Sequence, residues 1–246
     1  MRPRVKTPSK QPPSKQTPAA PAAAPSSSGD VAAFIRQVNA LGPAGTPGER
    51  GRLLFALDAT MSRQPTWDLA CKLQAEMFAT LAGTQGLEVQ LLYFRGFGEC
   101  KASKWMADAA ALGRVMTGIQ CRGGNTQIGK VFAHARAEHA RKKINAVVFV
   151  GDALEENVDR LAQQAGELGL LGCPIFVFHE GHDPLAGAAF KEFARVSKGA
   201  YARFDASAPR ELAALLRAVA AYAAGGRAAL MLQQTPPARL LLQQLH

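Results

Sequence analysis

The sequence is poor in the features that mark extracellular or membrane-embedded proteins. Its four cysteines, Cys71, Cys100, Cys121 and Cys173, are scattered along 246 residues with no C-x-x-C pair. Neither a disulfide-rich frame nor a four-thiolate zinc template fits that spacing, and reduced thiols in the cytoplasm are the expected state. No run reaches the ~18 to 20 consecutive apolar residues that span a bilayer. The most apolar late segment, 212–229, is Ala-rich and interrupted by Arg217 and Arg227, so it reads as a packed surface helix. The start lacks the Leu/Val-rich centre of a secretory signal. It also lacks acid: no Asp or Glu precedes Asp30, whereas Arg2, Arg4, Lys6, Lys10 and Lys15 supply half of the net charge of +10. No internal repeat is visible.

These absences divide the chain. Residues 1–29, rich in Pro, Ala, Ser and Gln, cannot bury enough apolar surface to offset their ordering entropy, which predicts a disordered basic tail. Such an arm attracts nucleic acid, anionic membrane or acidic protein by a force that salt screens. A solubilising tail with no partner explains it equally. Residues 30–51 read as a short helix from Asp30 through Asn39, then a Gly/Pro linker over 42–48. Residues 52–226 carry the folded domain. Residues 227–246 form a C-terminal extension whose Leu240, Leu241, Leu242 and Leu245 are expected to dock on it.

Within 52–226, short apolar runs alternate with helical periodicity. Strands are predicted at 53–57, 87–94, 100–105 (a short edge strand), 146–150, 175–178 and 201–204. Helices are predicted at 67–81, 107–116, 126–143, 157–170, 188–197 and 209–222. The uninterrupted run Ala146–Val150 suits a strand buried on both faces. Strands separated by helices of about 10 to 15 residues predict an α/β fold, doubly wound, with a mainly parallel central sheet and helices on both faces.

Chemistry concentrates at strand ends. Phe55-Ala56-Leu57-Asp58-Ala59-Thr60-Met61-Ser62 breaks a buried strand into three oxygen-bearing residues at alternate positions, which extended geometry turns to one side. One carboxylate and two hydroxyls suit a hard cation such as Mg²⁺. Alone, D-x-T-x-S arises often by chance. Two further segments add weight: Gly123-Gly124-Asn125-Thr126 sets a hydroxyl in a Gly-rich loop before a helix, and Val147-Val148-Phe149-Val150-Gly151-Asp152 ends a second buried strand on an acid.

Together these residues resemble the metal-ion-dependent adhesion site of the von Willebrand factor A family: D-x-S-x-S, a distant Thr, and an Asp after a later strand. Asp58, Thr60, Ser62, Thr126 and Asp152 match in order, with Thr60 where Ser is commoner, a swap that keeps the hydroxyl. The resemblance covers about residues 52–222, and the chain is also similar to bacterial intracellular proteins of this class. It implies a Rossmann-like fold in which the first strand and the strand ending at Gly151 lie side by side, opening a crevice at their carboxyl ends. It implies one divalent cation, Mg²⁺ with Mn²⁺ or Ca²⁺ as alternatives. Thr60 and Ser62 would contact the ion directly or through water, Thr126 directly when ligand is bound, and Asp58 and Asp152 mainly through waters and hydroxyls. The implied partner is a protein presenting Asp or Glu, and intracellular relatives often serve multi-protein machines beside a ring ATPase. The site residues imply no catalysis.

Two other functional classes stay open. A nucleic-acid-binding protein would use the basic tail and Arg/Lys surface. A metal-dependent hydrolase would need a base beside the ion, yet no His adjoins the three segments, and Glu155 and Glu156 read as acids serving a helix dipole. A haloacid-dehalogenase-type phosphatase would want a second Asp where Thr60 stands.

Other signals are weaker. His179-Glu180-Gly181-His182-Asp183 lacks H-E-x-x-H spacing and reads as a turn, with Asp183 capping the next helix and Pro184 at its first position. His134 and His139 are expected at the surface. Gly123-Gly124 has no Walker lysine. Trp67, Trp105, Phe94 and Phe97 are expected to pack in the core or at an edge, and Arg63, Arg95 and Arg122 to ring the mouth of the site.

Overall fold

A computed structural model of the chain describes residues 50–63, 87–204 and 209–232. The expected tail, the helix after Asp30, the Gly/Pro linker, the 67–81 helix and the 240–245 segment lie outside the described residues.

Six strands form one sheet: β1 (Gly51–Asp58), β2 (Leu87–Arg95), β3 (Glu99–Ala102), β4 (Ala146–Gly151), β5 (Ile175–Glu180) and β6 (Ala200–Phe204). Their order is β3-β2-β1-β4-β5-β6. All neighbours run parallel except β3, which pairs antiparallel with β2, as its place at the edge permits. Every residue of β1, β4 and β5 is buried, which explains the apolar runs Leu53–Leu57, Ala146–Val150 and Ile175–Phe178; the polar residues Arg52, Asp58, His179 and Glu180 stand at strand ends. Five helices are described: α1 (Ala109–Thr117), α2 (Ile128–Arg141), α3 (Val158–Leu170), α4 (Pro184–Val196) and α5 (Pro209–Leu232).

Alternation along the strands feeds two cores. Leu53, Phe55, Leu57, Val148, Val150, Phe176 and Phe178 face α1 and α5, where Leu112, Met116, Leu216 and Val219 meet them. Leu54, Ala56, Val147, Phe149, Ile175 and Val177 face α2, α3 and α4, meeting Phe132, Leu161, Phe190 and Phe193. Burying each such large apolar side chain contributes ~1.5 to 3 kcal/mol, so both layers are needed to hold the sheet.

Side-chain caps set the helix starts, at Asp183 as expected and at Asp108 and Asn157, which were expected inside their helices. Asp108 accepts from the Ala110 amide, Asn157 from Arg160, and Asp183 from Leu185 and Ala186 with Pro184 in the first turn. The last helix exceeds its expected end at Tyr222: the Ala-rich stretch on both sides of Gly225-Gly226 carries it to Leu232. The strand β5 is also longer than expected. Its register with β6 runs to Glu180↔Phe204, so His179 and Glu180 are strand residues and only Gly181-His182 turns.

The sheet reverses its winding between β1 and β4. From β1 the order runs outward through β2 and β3, and from β4 it runs the other way through β5 and β6. Such a switch point leaves a crevice outside the carboxyl ends of the two central strands.

Candidate functional site

Register places the two strand-end acids beside that crevice. Leu57 pairs with Val150, so Asp58 stands opposite Gly151 and Asp152 follows one residue on. Asp58 is fully buried, and its Oδ1 accepts the Thr60 amide at 2.7 Å. That short-range bond folds the chain sharply after β1 and fixes Thr60, whose Oγ1 lies 3.1 Å from Ser62 Oγ. Thr60 is buried while Ser62 is exposed, so the hydroxyl pair spans from the crevice wall to solvent.

The loop before α2 closes on this segment through main chain. The Arg122 amide donates to Ala59 O at 3.1 Å, and Thr60 and Arg122 form an isolated parallel bridge. The Ala59 amide in turn donates to Phe94 O at 3.0 Å, tying in the end of β2. Gly124 must be glycine here: a Cβ would lie 2.1 Å from the Gly96 carbonyl oxygen.

Thr126 is buried and held from across the crevice. Its amide donates to Glu155 Oε2 at 2.7 Å, and the Glu155 amide donates to Thr126 Oγ1 at 3.1 Å. Glu156 accepts from the Ile128 amide and, at 2.9 Å, from the Gly129 amide. These carboxylates, one turn before α3, thus serve the N-terminus of α2, whose own N-cap Gln127 makes no side-chain cap. The dipole reading of Glu155 and Glu156 holds in kind, but the helix is the one before them in sequence. Sequence reasoning missed this because the acids bind amides 27 to 29 residues away.

Direct contact joins Asp58, Thr60 and Ser62. Thr126 and Asp152 reach the same rim through the Glu155 exchange and the β1–β4 pairing. The donor set is two carboxylates and three hydroxyls, all hard oxygen, which suits a divalent cation of the Mg²⁺ class. Asp152 Oδ1 is buried and has no hydrogen-bond partner among the described residues, as an oxygen meant for an ion or its water would be. Among the described residues no three His, Cys, Asp or Glu side chains gather to hold a metal.

Of the arginines expected around the mouth, Arg95 and Arg122 lie against Glu99. Glu99, at the start of β3, accepts from Arg95 at 3.0 Å and lies 3.1 Å from Lys101 Nζ and 3.8 Å from Arg122. The Arg95 hydrogen bond, followed by that of Lys101, lowers the Glu99 pKa from 4.5 to about 2. Arg95 also donates to Gln120 O at 2.7 Å. Its side chain is only 12% exposed, which makes it a brace, whereas that of Arg122 is 63% exposed.

The four described histidines have hydrogen-bonding neighbours within the fold. His179 is buried, 2.8 Å from the Tyr201 hydroxyl, and burial foremost lowers its pKa, with the Asp152 main chain opposing. His182 Nε2 lies 3.2 Å from the Arg203 guanidinium, a poor setting for a metal ligand. His134 and His139 are half-buried, contrary to the surface expectation, because His134 bonds Gln90 at 2.9 Å and His139 accepts the Ile144 amide. Trp105 packs at the sheet edge, its indole donating to Glu138 at 2.7 Å, and Phe94 is core. Phe97 is neither, being 89% exposed. Trp67 lies outside the described residues.

A doubly wound sheet with acids at the ends of its two central strands defines a fold class rather than one protein. Solved structures show which fold it is. The VWA domain of SpRpn10 superposes with a TM-score of 0.55 at 15% identity, over 68% of this chain and 94% of that one. A von Willebrand factor type A structure from Catenulispora acidiphila gives 0.57 at 15% identity, over 70% of this chain and 43% of that one. Proximal thread matrix protein 1 from the mussel byssus, with its MIDAS motif occupied by zinc, gives 0.57 at 14%, over 70% and 46%. The chain has the von Willebrand factor A fold. No protein-family model and no curated protein matches it.

Proposed function

We propose that the chain is a protein-binding module that docks an acidic side chain of a partner at a divalent cation held by Asp58, Thr60, Ser62, Thr126 and Asp152. One observation carries the reading. The two central strands end side by side on acids, with a hydroxyl pair 3.1 Å apart at the first end and an unpartnered, buried Asp152 oxygen at the second. Mg²⁺ there would supply an electrophilic coordination position for a carboxylate. Because hydroxyls are neutral, a donor set rich in them leaves much of an ion's charge for an acidic ligand.

The residues around the set favour binding over hydrolysis. Glu155 and Glu156, the carboxylates nearest Asp152 in sequence, are engaged by main-chain amides and are poorly placed to act as a base. Free thiols at Cys100, Cys121 and Cys173 suit a reducing compartment such as the cytoplasm. No helix of the described residues is long and apolar enough to cross a membrane. We propose further that the module serves a multi-protein, ATPase-linked assembly, as intracellular proteins of the class it resembles often do.

The test is thermal melting of the full chain in EDTA and in millimolar Mg²⁺, Mn²⁺ or Ca²⁺. At a hundred-fold excess over Kd an ion adds ~2.7 kcal/mol, roughly 5 to 11 °C in Tm for a domain of this size. Asp58→Ala and Thr126→Ala abolish the increment. Indifference of the wild type to all three ions would remove the metal and leave the fold.

A further inference from the structure

We propose that the site's rim is a two-part docking surface for an extended protein segment. An acidic side chain of that segment lies at Thr60 and Ser62, and an aromatic or branched aliphatic side chain within three residues of it packs on Phe97 and Met61. The inference rests on the acid-docking reading above and adds a second, apolar determinant.

Two large apolar side chains stand out of the protein at this rim. Phe97 is 89% exposed and Met61, between Thr60 and Ser62, is 52% exposed. Neither belongs to the two cores. Phe97 occupies the turn after β2, and that turn adjoins the site: Phe94 O accepts the Ala59 amide, and Gly96 is in tight contact with Gly124.

The turn is braced, so the exposure of Phe97 is not loop slack. Gln127 donates to Arg95 O at 3.3 Å and Gly96 O at 3.2 Å, and Lys130 donates to Gly98 O at 3.0 Å. Gly96 and Gly98 flank the ring with φ of 61° and 147°, backbone that L side chains rarely adopt. A rigid scaffold that turns one aromatic into water has the form of an interface anchor. Aromatics and Met are enriched in such anchors, and preorganisation lowers the entropic cost of binding.

The apolar pair favours a protein over a nucleic acid: Met61, an exposed thioether chain at the hydroxyl pair, suits an apolar protein side chain and offers no flat face for a base to stack on. Arg122, bridged to Thr60 through main chain and 63% exposed, keeps only a 3.8 Å contact with Glu99 and offers the acidic segment a cation.

The experiment is selection of displayed random heptapeptides, with the central residue fixed as Asp or Glu or, in a control pool, as Asn or Gln. The bait is the full chain in Mg²⁺ or EDTA. The expected result is acid-dependent binding in Mg²⁺, with aromatic or aliphatic residues enriched beside the acid. Phe97→Ser and Met61→Ser keep the acid preference, lose the apolar enrichment and weaken the best peptide roughly ten-fold. Phe97→Leu restores most of it, which separates the apolar contact from any folding defect. Acid selection with random flanks, or flanks indifferent to Phe97→Ser, overturns this inference and leaves acid docking standing. No acid preference in Mg²⁺ overturns both. A fluorescent single-stranded oligonucleotide that binds wild type and is released by Phe97→Ser overturns it in favour of base stacking.

Discussion

Thr126 and Glu155 hold each other by two hydrogen bonds running in opposite directions, Thr126 N to Glu155 Oε2 at 2.7 Å and Glu155 N to Thr126 Oγ1 at 3.1 Å. The exchange fastens the loop before α2 to the loop after β4, so a hydroxyl from one segment is positioned by the segment that carries Asp152. Glu156 completes the clamp on the first turn of α2.

Removing either side of this exchange should cost stability, and removing both should cost less than the sum. Glu155→Ala is expected to destabilise by about 1 to 2 kcal/mol, since it leaves the part-buried Thr126 amide without its acceptor. Urea denaturation of Glu155→Ala, Thr126→Ala and the double variant measures the coupling. Strict additivity would show that the two residues do not meet in solution.

Gly124→Ala tests the packing of the loops around the set. Its new Cβ would lie 2.1 Å from the Gly96 oxygen, a main-chain atom that cannot rotate away. Overpacking of this kind costs about 1 to 3 kcal/mol, and here it shifts the 122–126 loop against Ala59 and Thr60. Melting should show a lower Tm together with a smaller ion-dependent increment. An unchanged increment would mean that the loop position does not govern the set.

Acid should act through Glu99. Its folded pKa, about 2, lies below the ordinary 4.5 because Arg95 and Lys101 bond its ionised form. A depressed carboxylate contributes stability that is fully present above the unfolded value and fades as pH falls from about 4.5 toward 2. Carboxyl-carbon NMR should give Glu99 a midpoint near 2, and Glu99→Gln should remove the matching segment of the stability curve. A midpoint near 4.5 would show that the arginine bond is not kept in solution.

Far from the site, Arg52 offers a control. Its side chain is 6% exposed, stacks 3.6 Å from the Trp105 ring centroid, donates to Lys142 O at 2.7 Å and lies 3.5 Å from Glu138. Arg52→Ala removes the Lys142 O hydrogen bond and the Trp105 stacking while Glu138 keeps Arg141 at 2.6 Å, and is expected to cost roughly 1 to 3 kcal/mol. It should leave the ion-dependent increment in Tm intact. Loss of that increment would reveal coupling between opposite ends of β1.

Much of the architecture was legible because its causes are local or periodic. Strands buried on both faces have apolar centres, and β1, β4 and β5 read directly from such runs, while their polar ends, such as His179 and Glu180, did not. Asp183 and Pro184 announced the start of α4, since a cap acts within three residues. Other features were hidden. The Gly-flanked position of Phe97 gave no sign that its ring would face water, because burial depends on what else packs nearby. His134 and His139 looked like surface residues until Gln90 and the Ile144 amide reached them.

The sequence by itself determined which oxygens exist and that two of the acids end buried strands, because hydrophobic period and strand termination are properties of consecutive residues. Only the tertiary structure decided that β1 and β4 lie adjacent, that Glu155 and Glu156 serve α2 rather than the helix they precede, and that Phe97 stands in solvent. Those outcomes depend on sheet order and on amides more than twenty residues away. Which partner each main-chain group takes is settled when the layers pack, since every amide sealed from water must find an acceptor.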